Sequence, residues 1–100
     1  MNGDELLGLC NWYQEQCDGH WEHGYGVRIE TLDNPGWMLH VDLTGTHLQG
    51  KELPMVLVEV TDDDWYCTGT KDGKFEAAGD PTKLPLLIAK FLEFSSGPLH

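Results

Sequence analysis

The sequence predicts an α+β domain, a five-stranded antiparallel meander sheet with an N-terminal and a C-terminal helix packed on one face. Three observations carry that expectation. Apolar residues recur at three- and four-residue spacing near both ends of the chain, they alternate with period two through its middle, and Asp33-Asn34-Pro35-Gly36, Asp62-Asp63-Asp64 and Asp72-Gly73 punctuate the alternation.

Asn2 or Asp4 can cap the first helix, whose apolar stripe is read as Leu6, Leu9, Cys10, Tyr13 and Cys17, and Gly19 ends it. From Tyr25 the period becomes two: Val27, Ile29 and Thr31 alternate with Arg28 and Glu30 in a first strand. Proline fixes φ and glycine accepts φ > 0, so Asp33 to Gly36 forms a turn. Trp37, Leu39, Val41 and Leu43 mark a second strand, and Thr44 to Pro54 is a polar connection. Val56, Val58 and Val60 share one parity of a third strand, Trp65 to Thr70 forms a fourth, and the hairpin pair Asp72-Gly73 leads into a fifth from Phe75 to Ala78. Asp80 is expected to N-cap the last helix with Pro81 at its first position, and Leu84, Leu87, Ile88, Phe91 and Leu92 form its apolar face. Pro85 falls in the first turn, where a missing amide hydrogen costs little. Ser95-Ser96-Gly97-Pro98 ends that helix, and residues from about 95 to 100 are expected to be a loose tail of a single domain spanning 1–100.

This alternation assigns faces. With Val27, Ile29, Trp37, Leu39, Val41, Val56, Val58 and Val60 turned to the helices, Arg28, Glu30, His40, Asp42, Glu59, Tyr66, Thr68 and Glu76 turn away. Arg28 and Glu30 share a side with His40 and Asp42 only if the first hairpin has an odd-length loop or a bulge. A plain two-residue turn would refute the assignment.

One hundred residues, 40% of them hydrophobic, suffice for one small domain burying roughly 60–65% of its unfolded surface. Seventeen acids against six bases give a formal charge of −11, which repels nucleic acid and anionic membranes and attracts a basic partner. No segment approaches the ~20 apolar residues of a membrane span, and the N-terminus lacks a basic and apolar leader, so a cytoplasmic location is expected. Cys10 and Cys17 on one helix would stand roughly 10 Å apart at ~1.5 Å rise per residue, too far to bridge. With Cys67 the count is odd, and the three are expected to be reduced, buried small hydrophobes.

The chemistry-bearing residues crowd between Cys17 and Trp37. His20, Glu22 and His23, joined by His40, raise a metal site, but His-x-x-His alone is common and the helical His-Glu-x-x-His of metalloproteases is absent. Glu22, Glu30, Asp42 and Glu59 could supply a carboxylate pair, yet no spacing singles one out, and no nucleophile elbow, phosphate loop or dinucleotide fingerprint occurs. No catalytic residue, metal ligand or cofactor is therefore assigned. Of the four tryptophans, Trp37 is expected inside, Trp12 and Trp21 at the helix–sheet seam, and Trp65 half exposed.

Trp21-Glu22-His23-Gly24-Tyr25-Gly26 and Leu32-Asp33-Asn34-Pro35-Gly36-Trp37 resemble the immunity protein 53 family of bacterial polymorphic toxin systems. The resemblance runs from Trp12-Tyr13 through Cys17-Asp18-Gly19 and Asp42-Leu43-Thr44 to Gly73-Lys74-Phe75-Glu76 and the last helix. It implies a non-enzymatic cytoplasmic antidote that binds and blocks a cognate toxin protein, and the negative charge suits a basic, nuclease-like one. The binding surface is then expected at Glu22, Glu30, His40, Asp42, Glu59, Asp62, Asp63, Asp64 and Trp65. The alternative is a small metal or ligand binder, or a hydrolase, built on His20, Glu22, His23 and His40. Trp21-Glu22-His23 reads either as binding surface or as a clasp joining the first helix to the sheet.

Overall fold

A computed structural model describes residues 4–96. Each period in the sequence becomes an element: α1 (Asp4–Gln16), α2 (Trp21–Gly24), β1 (Val27–Leu32), β2 (Gly36–Asp42), β3 (Val56–Thr61), β4 (Asp64–Lys71), β5 (Lys74–Gly79) and α3 (Leu84–Ser96). Only α2, a single turn, had no periodic signal. Asn2 and Gly97-Pro98 lie outside the described residues, while Ser95 and Ser96 belong to α3, their hydroxyls donating to the Leu92 carbonyl.

The strands form one antiparallel sheet in the order β1-β2-β5-β4-β3. Thus β2 neighbours β5, and the connection from Leu43 to Met55 carries the chain to the far edge. In the first hairpin Leu32 pairs with Gly36, leaving the three-residue loop Asp33-Asn34-Pro35. This odd length puts Arg28 opposite His40 and on the side expected of it. The Asp72-Gly73 turn has φ of 53° and 78°, so two left-handed residues close the β4–β5 hairpin as a primed turn does.

The core lies between the sheet centre and α3. Leu39, Val41, Phe75 and Ala77 meet Leu87, Ile88, Phe91 and Phe94, with Leu43 and Leu48 closing one end. Phe75 stands 5.2 Å from Phe91 and 5.4 Å from Phe94 between ring centroids. A helix about 10 Å across spans two strand spacings of ~4.8 Å, hence three strands, so α3 serves β2, β5 and β4 and leaves the edges bare. Val56, Val58 and Val60 accordingly stay outside the core, contrary to their parity, at 54%, 37% and 69% exposure.

Other expectations are corrected. Tyr66 and Thr68 pair with Gly79 and Ala77 and so face α3, with Thr68 buried. The packed face of α1 is Glu5, Gly8, Leu9, Trp12 and Gln16, whereas Leu6, Cys10, Tyr13 and Cys17 are exposed. Trp12 decides that rotation because it has the largest apolar surface to bury, and its ring meets Phe91 edge-on at 4.9 Å. A side chain at Gly8 would press on Leu92, so glycine lets α1 and α3 approach closely. Trp37 is only partly buried, and its indole donates to the Pro81 carbonyl at 3.0 Å. Asp80 does not cap α3: Leu87 N–H bonds to the Lys83 carbonyl, making Lys83 the N-cap, because Asp80 is held by β4 instead.

Candidate functional site

The segment from Cys17 to Tyr25 is a clasp built from local hydrogen bonds. Asp18 accepts from the amides of His20 and Trp21, and Glu22 reaches back to the amides of Asp18 and Gly19 at 3.0 and 2.9 Å. The Trp21 amide first, then that of His20, holds the Asp18 carboxyl below its ordinary range. Backbone amides likewise hold Glu22 low, its own first and then those of Asp18 and Gly19. Trp21 is buried against Trp12, Tyr13 and Tyr25, and its indole donates to the Thr44 carbonyl at 2.9 Å. The turn thus ties α1 to the connection after β2. His20 and His23 stand exposed on it, and among the described residues no three His, Cys, Asp or Glu side chains come together to hold a metal.

The second conspicuous string is also explained by packing. Gly36 is buried with the Gly79 carbonyl where a Cβ would be, so β2 and β5 meet there only with glycine. Trp37 then reaches over the following turn to Pro81. Asp80 anchors that turn: buried, it accepts from the Trp65 amide, the Thr82 amide and hydroxyl, and the Lys83 ammonium at 2.6 to 3.0 Å. The Lys83 ammonium, and next the Thr82 hydroxyl, keep its carboxyl far below the carboxylate range although burial opposes this. Lys83 also bonds Asp64 at 2.7 Å and its own pKa is raised, by Asp64 first and Asp80 second.

The sheet face away from the helices brings most of the expected residues together in cross-strand rows. One row is Arg28, His40, Glu76 and Gly69, and the next is Glu30, Met38, Ala78, Cys67 and Leu57. Glu59 pairs with the half-buried Trp65, and the Asp62-Asp63-Asp64 turn adjoins them. Glu22 lies apart, in the clasp. Asp42 is committed to the Gly26 amide at 2.9 Å, and Glu30 forms an exposed pair with Arg28 at 3.4 Å. Arg28 on β1, Lys71 on β4 and Lys74 on β5 also lie on this face, which is therefore mixed in charge, while β3 itself carries only Glu59.

Sequence reasoning passed over the exposed aliphatics of β3, Leu57 above all. A signal was present: Val56-Leu57-Val58-Glu59-Val60 is apolar on both parities, so some of it had to face outward. A cavity of about 380 Å³ lies elsewhere, between Gly50–Pro54 and the β4–β5 turn, and none of the singled-out residues lines it.

A model of the immunity protein 53 family matches residues 6–96. The chain belongs to that family. No curated protein and no solved structure matches it. In this immunity protein the clasp and the Gly36–Trp37 corner are scaffold, their polar groups engaged within the fold. No helix among the described residues is long and apolar enough to cross a membrane.

Proposed function

We propose that this immunity protein is a cytoplasmic, stoichiometric antidote that binds a cognate toxin of a polymorphic toxin system and blocks it without chemistry. The match to the immunity protein 53 family across residues 6–96 carries this reading. The net charge of −11 supports a basic toxin, such as a nuclease, because complementary potentials speed encounter. The engagement of Glu22 with backbone amides weighs against the alternative built on His20, Glu22, His23 and His40, since a carboxylate held by two amides is poorly placed to serve as a ligand or base.

The test is capture of the tagged protein from lysate of its source, followed by titration of the purified captured toxin. Activity falling to zero at one equivalent is the expected result. A captured protein that keeps full activity under a large excess of this chain would overturn the antidote reading.

A further inference from the structure

The two edges of the sheet are unlike. An edge strand exposes unpaired N–H and C=O groups, and proteins usually guard it with charge or proline. β1 is guarded in this way, with Arg28 and Glu30 paired across its exposed surface. β3 is not. All six of its residues are exposed, four are aliphatic, and Glu59 is its one charge.

This bare edge continues into the open face. Leu57, 60% exposed, stands beside Cys67, which adjoins Ala78 and Met38, so an apolar row runs inward from β3 across β4, β5 and β2. On the open-face side its flanking charges are acidic, Glu59 on the strand and Asp62 and Asp63 in the turn after it. Glu59, Asp62 and Asp63 form no ion pair among the described residues.

We propose that β3 is the docking edge for the toxin, which adds a strand carrying both basic and apolar residues along Val56–Thr61. The inference rests on the antidote reading and specifies its contact. Backbone hydrogen bonds to the edge supply pairing, apolar side chains of the partner cover Leu57 and Val60, and its basic residues meet Glu59, Asp62 and Asp63. A second copy of this chain is the poorer occupant, because two bodies of charge −11 would bring the same acids together.

The experiment uses the full chain and the toxin recovered by capture. Residue-resolved amide exchange should show new protection at alternate residues of Val56–Thr61, the signature of strand addition. The double variant Leu57→Asn, Val60→Asn should weaken binding at least about tenfold, as loss of central anchors does, while Ile29→Asn on the opposite edge leaves affinity unchanged. All three side chains are exposed, and circular dichroism of the free variants confirms folding. A toxin that binds with no new protection in β3 and equal affinity for both variants overturns the docking edge and leaves the antidote reading standing. A toxin that does not bind the native chain removes both. Sedimentation of the free protein as a dimer that Leu57→Asn, Val60→Asn dissolves would reassign the edge to self-pairing and overturn the proposal.

Discussion

Asp80 is the side chain on which most local order converges. Its carboxylate holds the Trp65 amide of β4, the Thr82 turn and Lys83 at once. Because its folded pKa is depressed, it stabilises fully above the unfolded carboxylate value of about 4, and that stability drains away as pH falls below it. Asp80→Asn should therefore melt several degrees below the native protein at pH 7, with the gap narrowing progressively in acid; melting curves at a series of pH values check this. A gap that is constant with pH would show that shape, not charge, holds the turn. Gly36 makes a second prediction at this scale. An added methyl meets the Gly79 backbone carbonyl, which cannot move aside, so Gly36→Ala should cost about 1–3 kcal/mol in urea unfolding. At Gly8 the methyl meets the flexible Leu92 side chain, and helix propensity favours alanine by about 1 kcal/mol, so Gly8→Ala should be nearly neutral.

Among the elements, the strands and turns were legible because two-residue periodicity and glycine or proline punctuation are local signals. The first hairpin shows this: Asp33-Asn34-Pro35-Gly36 fixed the turn, and the register condition on Arg28 and His40 was met by its three-residue loop. What lay outside the sequence was the neighbour of each element. Val56 and Val58 have the parity of core residues, but only the order β1-β2-β5-β4-β3 shows that no helix reaches them. The face of α1 was misread for the same reason, because Trp12 is claimed by Phe91, a residue distant in sequence. Asp80 looked like a cap until Trp65 supplied a partner from β4. Of the candidate surface, the residues on the open face were brought together and Glu22 was not, since its neighbours Asp18 and Gly19 claim it. The clasp also sets a prediction. Trp21→Phe keeps a ring against Trp12 and Tyr25 but loses the bond to Thr44, so it should cost about 0.5–1.5 kcal/mol. Chemical denaturation measures it, and a native midpoint would mean that water replaces the bond at no cost.

Across the whole molecule, charge and apolar contact should separate kinetically. At 0.1 M salt the Debye length is about 10 Å, so acids near β3 act on an approaching cationic toxin, whereas at 1 M it is about 3 Å and they act only in contact. The variant Glu59→Gln, Asp62→Asn, Asp63→Asn removes three of the seventeen acids and should slow association several-fold at low salt, with rates converging toward the native value at high salt. Removing three acids from α1 instead, by Asp4→Asn, Glu5→Gln and Glu15→Gln, changes net charge equally but leaves the potential at β3, and should slow association less. Stopped-flow association across a salt series distinguishes the two. Equal slowing by both variants would make net charge the steering agent and give the β3 rim no special part. Replacing Leu57 and Val60 acts after encounter, so it should raise the dissociation rate and leave the salt slope of association unchanged, because the contacts they make exist only once the strand has docked.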